Sequence, residues 1–248
     1  MTFKNPGDRI TYEVNTLEKE LRKFFIKSID VPKESEKLFD QIQDFRLLMM
    51  KYGCAIREVK TKFEVLNDEF SAKNNRNPIE MIKARVKSPE SLLGKLKRLD
   101  LEPSAENISD YINDIAGVRV ICSFVDDIYK IADMFTSQDD VTVLKVKDYI
   151  KNPKENGYRS YHLIVEIPVF FSNKKQNVKV EIQLRTIAMD FWASLEHEIK
   201  YKKEIESSDD LIKRLKKCAD IISSTDYEMQ NIGKEIELAK KKNKKKKS

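Results

Sequence analysis

The sequence predicts an α+β protein, with helices at both ends of a mixed α/β middle. Three observations predict it. Apolar residues recur at helical spacing between positions 38 and 70, the pattern changes to short β-branched runs between 118 and 185, and helical spacing returns from 187 to 236. A chain of 248 residues is long enough to bury one substantial core with decorations.

Taken in order, residues 12–29 read as a weak helix ended by Pro32. The stripe that follows holds Leu38, Ile42, Phe45, Met49, Tyr52, Ile56, Val59, Phe63, Leu66 and Phe70. It fits one long helix or two joined near Gly53. Residues 118–124, 141–146, 161–169 and 177–185 are β-branched runs bounded by polar, Gly or Pro punctuation, so they read as strands. A helix over 125–136 separates the first two. Beyond Arg185, residues 187–201 form a helix, and a second stripe runs through Leu211, Leu215, Ala219, Ile222, Met229, Ile232 and Ile236. Such a stripe either covers the sheet or seats a partner subunit.

Composition narrows the function classes. Charged residues make up 35% of the chain and no apolar run approaches the roughly 20 residues that cross a bilayer, so no membrane span is expected. Residues 1–9 lack the apolar segment of a signal peptide, which points to the cytoplasm. Cys54, Cys122 and Cys218 are odd in number and form no CxxC pair; they read as reduced, mostly buried thiols rather than disulfides or zinc ligands. The net charge of +6 is local. Residues 240–247 hold seven lysines, and without them 40 basic residues face 41 acidic ones.

Four motifs carry the chemistry. In the first, Ser88 and Pro89 form a helix start, with Arg85 and Lys87 before it and Ser91, Lys95 and Arg98 on one face beyond it. This cationic element suits a polyphosphate; the same residues would also make a solvated basic face. In the second, Asp114 stands at the mouth of a strand containing Gly117, with Arg119 pointing opposite to Val118 and Val120. The carboxylate can hold Mg²⁺ or simply cap the turn. The third runs from Lys154 through Gly157 and Tyr158 to His162, an aromatic beside a flexible turn that can stack on a base or pack as an ordinary strand start. In the fourth, alternation sends Val180, Ile182 and Leu184 to the core and Glu181, Gln183 and Arg185 to the other face. Glu181 there can ligate metal or take a proton, and Gln183 can read a base edge, unless the face is merely solvated.

These motifs occur in one order and end in the Trp192-Ala193-Ser194-Leu195-Glu196-His197 segment; together they resemble the synthetase domain of the RelA/SpoT homologue family, over about residues 77–201. The short length resembles the family's stand-alone small alarmone synthetases of the RelQ type. The resemblance implies a nucleotidyltransferase-like mixed β-sheet flanked by helices, and transfer of pyrophosphate from ATP to the 3′-hydroxyl of GTP or GDP, with GMP as a further candidate acceptor. It implies ATP contacts at Arg85, Lys87, Ser91, Lys95, Arg98 and Arg119, and catalysis and Mg²⁺ binding at Asp114 and Glu181. Tyr158, Lys154, His162 and Gln183 would hold the guanine nucleotide. It further implies a homotetramer with an allosteric alarmone cleft. The divisions expected are a helical extension over 1–70, the synthetase domain over 71–205, a C-terminal helix over 206–239 and a disordered lysine-rich tail over 240–248. Tyr161 departs from the leucine usual at its position. The paired histidines beside an aspartate that mark the family's hydrolase are absent, since His162 and His197 are the only histidines. The alternative is a nucleic-acid-binding module using the basic tail, which suits RNA, and the Tyr158 region; it leaves the strand carboxylates unexplained, because they would repel a phosphate backbone.

Overall fold

The computed structural model describes residues 35–201 and 209–247. The helix expected over 12–29 lies outside them. The first apolar stripe becomes one helix, α1 (Ser35–Asn74), which passes through Gly53 without a break. Phe45, Tyr52, Val59, Phe63, Leu66 and Phe70 are buried as their spacing requires, and Leu48 and Ala55 join them.

The strands are β1 (Ile79–Val86), β2 (Ala116–Cys122), β3 (Thr142–Asp148), β4 (Tyr161–Phe170) and β5 (Lys175–Thr186), in the order β1-β2-β5-β4-β3. β2 and β5 pair in parallel and every other pairing is antiparallel, so the sheet is mixed. On the central strand β5, Val178, Val180, Ile182 and Leu184 are fully buried among the core residues of α1. Helix α4 (Val125–Thr136) shares that face: Phe135 stacks on Phe63 of α1, ring centroids 4.4 Å apart. Glu181, Gln183 and Arg185 therefore point the other way, onto the face where the chemistry must lie.

Several expectations change. Strand β1 lies in a segment that the sequence offers only as a lead-in to a helix; its residues are mostly exposed and its apolar alternation breaks at Met81 and Ile82, so no clear strand signal stands out. Helix α3 (Ala105–Tyr111), capped by Ser104, is seven residues long and too short to show a period. The division near residue 70 does not mark a structural break, because the α1 stripe belongs to the same hydrophobic core as the sheet. Of the three thiols only Cys122 is buried, while Cys218 is exposed.

Helix α2 (Pro89–Arg98) follows β1, helix α5 (Ile187–Tyr201) follows β5, and helix α6 (Asp209–Lys247) packs on α5. The lysine run at 240–247, expected to be disordered, continues α6; lysine is a good helix former and nothing in that run breaks the helix. Polar contacts fasten α6 to the body. Trp192 Nε1 donates to the Leu215 carbonyl, Thr186 Oγ1 to Asp226 at 2.6 Å, and Arg159 to Asp220 at 2.9 Å. Gln230 accepts from the Asp126 backbone N–H, capping α4 where Phe124 cannot. Gly157, at φ +88°, lies against α6 so closely that a Cβ there would come within 2.5 Å of the Ala219 Cβ. Only glycine meets both demands.

Candidate active site

Strand register assembles the site face. Lys83, Arg119, Gln183, His162 and Lys147 are successive cross-strand neighbours, and the next row reads Arg85, Gly117, Glu181, Ile164 and Lys145. Side chains directly opposite on paired strands share a face, so each row is a line of neighbours across the sheet. Gly117 leaves the second row open between Arg85 and Glu181: a Cβ there would meet only the Arg85 carbonyl, at 3.9 Å.

The cationic half comes from β1, β2 and α2. Ser88 caps α2, accepting from the Ser91 N–H, and Leu92 and Leu96 bury the helix's inner face. That anchoring aims Lys95 at Asp114, 2.7 Å away, where Lys87 also binds. Burial pushes the Asp114 carboxyl up, but the two ammonium groups outweigh it and hold the group below the ordinary carboxylate range. Arg85 is exposed beside Arg119 and makes no ion pair among the described residues. Ser91 and Arg98 stand apart from this cluster: Ser91 bonds Ser88, and Arg98 folds back onto the Gly94 carbonyl.

The aromatic half comes from the turn before β4. Asn156 accepts from the Tyr158 N–H, and the Tyr158 ring leans on the small cluster formed by Trp192, Ala193 and Ala219. Lys154 Nζ lies 5.0 Å from the Tyr158 ring centroid and 4.9 Å from that of Tyr149. Arg185 donates to the Tyr158 hydroxyl at 2.8 Å, and that hydroxyl lies 2.8 Å from His162 Nε2. His162 Nδ1 in turn is 3.6 Å from Glu181 Oε1. The order of donors is consistent with Nδ1 carrying the ring proton and Nε2 accepting from tyrosine.

Glu181 sits where the halves meet. Burial raises its carboxyl, and the nearby Asp114 charge adds to that, yet the facing His162 ring and the Gln183 amide prevail and hold it below the ordinary range. Gln183 donates to Oε2 at 2.9 Å. Asp114 and Glu181 feel each other's charge, and Gly117 puts no side chain beside Glu181 on its row; carboxylate oxygens of this kind suit Mg²⁺. Among the described residues no group of three or more metal-ligating side chains occurs, but Mg²⁺ commonly takes one or two carboxylates and completes its shell with phosphate oxygens and water.

Sequence reasoning missed Lys83, Lys145, Lys147, Tyr149 and Asp190. The lysines were hidden because only register brings β1 and β3 beside the central strands. Asp190, on the first turn of α5, meets Arg119, Arg185 and Lys83 at 3.0, 3.1 and 3.4 Å. Its place in the sequence, after an Arg-Thr strand end and inside a helix, offered a weak signal at most. No described helix is long and apolar enough to cross a membrane.

The family described as a region found in RelA/SpoT proteins matches residues 84–206. GTP pyrophosphokinase YwaC of Bacillus subtilis (strain 168) is 45% identical over 196 residues, covering 79% of this chain and 93% of that protein. Small alarmone synthetase 2 from B. subtilis aligns with a TM-score of 0.70 at 46% identity, over 77% of this chain and 99% of that one. Small alarmone synthetase 1 from the same organism aligns in two bound forms. With its product pppGpp the TM-score is 0.67 at 37% identity, over 75% of this chain and 94% of that one. With AMPCPP it is 0.66 at 33% identity, over 79% and 99%. The fold, the order of the four motifs and these likenesses agree: the chain belongs to the RelA/SpoT family, where its kin are the small alarmone synthetases.

Proposed function

We propose that this chain is a (p)ppGpp synthetase, a GTP pyrophosphokinase that transfers pyrophosphate from ATP to the 3′-hydroxyl of GTP or GDP and releases AMP. The observation that carries it is the position of Glu181, on the central strand between a cationic half suited to ATP phosphates and an aromatic half suited to a base. Arg85, Lys87, Lys95 and Arg119 hold the triphosphate over the open row at Gly117. Tyr158 offers its ring to guanine, with Lys154, His162, Gln183 and the newly placed Lys147 around the acceptor. Ser91 and Arg98 sit at the rim. Arg98 releases the Gly94 carbonyl when it turns toward ATP.

Glu181 accepts the proton of the 3′-hydroxyl as that oxygen bonds to the β-phosphorus of ATP. The bond from the β-phosphorus to the oxygen bridging the α-phosphate breaks, and AMP leaves with the electron pair. Asp114 and Glu181 would hold Mg²⁺, which would supply charge neutralisation for the polyphosphate. Lys87 and Lys95, now on Asp114, are within reach of the same phosphates. Alignment and charge supply most of the rate, as phosphoryl transfer generally requires.

Exposed apolar residues on α5 and α6, among them Phe191, Leu195, Ile199, Met229 and Ile232, support a homo-oligomer, and the resemblance to the RelQ type favours a tetramer with an allosteric cleft for the alarmone. The lysine run suits RNA as a further ligand, and nucleotide substrates suit a cytoplasmic protein.

AMP should form from ATP only when a guanine nucleotide is also present, and only with Mg²⁺. Product analysis by ion-exchange chromatography checks this; AMP formed from ATP alone, or no AMP with either acceptor, would contradict the reading.

Tyr158→Ala should raise the KM for GDP by about 5- to 150-fold and leave that for ATP nearly unchanged, since base stacking is worth about 1–3 kcal/mol. Tyr158→Phe keeps the ring but cuts the hydroxyl link from Arg185 to His162, so kcat should fall while the KM for GDP holds. Initial-rate kinetics separate the two variants, and equal weakening of both nucleotides in Tyr158→Ala would count against this placement.

A further inference from the structure

Two guanidinium groups stand near each other on the site face of the central strands. Arg119 of β2 belongs to the cationic half, and Arg185 of β5 holds the Tyr158 hydroxyl and the Gln183 amide oxygen in the aromatic half. Burial weakens the protonated form of Arg119, and the charge of Arg185 weakens it further. Left alone, the pair would separate.

Asp190 prevents that. Its Oδ1 receives Arg119 Nη1 at 3.0 Å and Arg185 Nη1 at 3.1 Å, and its Oδ2 faces Lys83 Nζ at 3.4 Å. The residue is only 8% exposed. It is also held firmly, because the Thr186 hydroxyl accepts from the Met189 N–H and fixes the first turn of α5 directly after β5. The Nε–H groups of both arginines are buried without a partner, so Nη contacts orient them: Asp190 holds Arg119, and Asp190 together with Tyr158 and Gln183 holds Arg185. A single carboxylate oxygen thus spans both halves of the site. Its partners are side chains of the chain itself.

Resting on the synthetase reading above, we propose that Asp190 is a positioning residue that locks Arg119 and Arg185 into one arrangement, aligning the ATP half of the site with the guanine half. Because it acts on alignment, it governs turnover more than binding. Removing its charge frees two cations that still attract phosphate, so nucleotide affinity is kept while the geometry loosens. A misplacement on the order of 1 Å is enough to cost about 100-fold in rate.

Asp190→Asn keeps the volume and removes the charge. Steady-state AMP formation by the full chain, with ATP and GDP varied in turn, should show kcat lowered about 100-fold and both KM values within about threefold of wild type. Asp190→Glu restores the charge and should recover at least about tenfold of that loss, with thermal melts showing all three proteins folded. The proposal is overturned by an Asn variant with kcat within about threefold of wild type, by raised KM at unchanged kcat, by a folded Glu variant no faster than Asn, or by loss of the fold in Asn, which would make the carboxylate a structural group. Wild-type protein that forms no AMP removes the synthetase reading and this inference together. An active wild type indifferent to Asp190→Asn removes only the inference.

Discussion

Glu181→Ala is expected to stop AMP formation from ATP and GDP while the protein stays folded. The side chain lies on the face of β5 opposite Val180 and Ile182, so its truncation opens no cavity in the core. It also removes a carboxylate that repels Asp114, which offsets the lost contacts with Gln183 and His162. Turnover is another matter. A general base contributes about 10²- to 10⁴-fold, and a metal ligand lost with it costs several kcal/mol more, so a fall of at least about 10³-fold is expected. Glu181→Gln keeps the shape but neither the charge nor the basicity, and should fail almost as badly. Single-turnover AMP release beside a thermal melt makes the comparison, and a folded Glu181→Ala protein with near-normal turnover would sink the mechanism.

The opposite result is expected on the other side of the same sheet. Phe63 is fully buried, and its ring stacks on Phe135 with the planes only 10° apart. Phe63→Ala leaves a cavity between α1 and α4, and Phe→Ala changes in cores cost about 3–5 kcal/mol. That is a large part of the roughly 5–15 kcal/mol that holds a domain together. At about 2–4 °C per kcal/mol for a chain of this size, the melting midpoint should drop by about 6–20 °C. Below the transition, kcat should stay close to wild type, because that ring packs in the core, on the face of the sheet opposite Glu181. Urea titration and initial rates measure both; a stability loss under about 1 kcal/mol would mean that the stack does not anchor α1.

The two faces differ in how much the sequence discloses. The core face is periodic, and period is local: spacing alone marks Phe45, Tyr52, Val59 and Phe63 as buried along α1, and Val180, Ile182 and Leu184 along β5. The motifs around Ser88, Asp114, Tyr158 and Glu181 were legible because each is contiguous, and because their common order resembles one family. The cap at Ser88, the helix over 125–136 and the outward face of Glu181, Gln183 and Arg185 needed only neighbouring residues. Ser91 and Arg98 show the limit of that logic. They share the Lys95 helix face by spacing, yet only Lys95 reaches Asp114, since proximity along a helix says nothing about what lies opposite.

By itself, then, the sequence determined the helix–sheet–helix order, the inward residues and the four segments that carry chemistry, all of them consequences of spacing within some ten residues. Tertiary structure decided the rest. It made α1 part of the catalytic core, continued α6 through the lysine run, and set Gly157 against Ala219 so that α6 supports the Tyr158 turn. Above all it chose strand order and register, which place Lys83 beside Arg119 and Lys147 beside His162, and bring Asp190 between two arginines 66 positions apart in sequence. Register depends on how whole strands pack and pair across the chain, and a shift by one residue would turn every side chain to the other face; no local pattern holds that information.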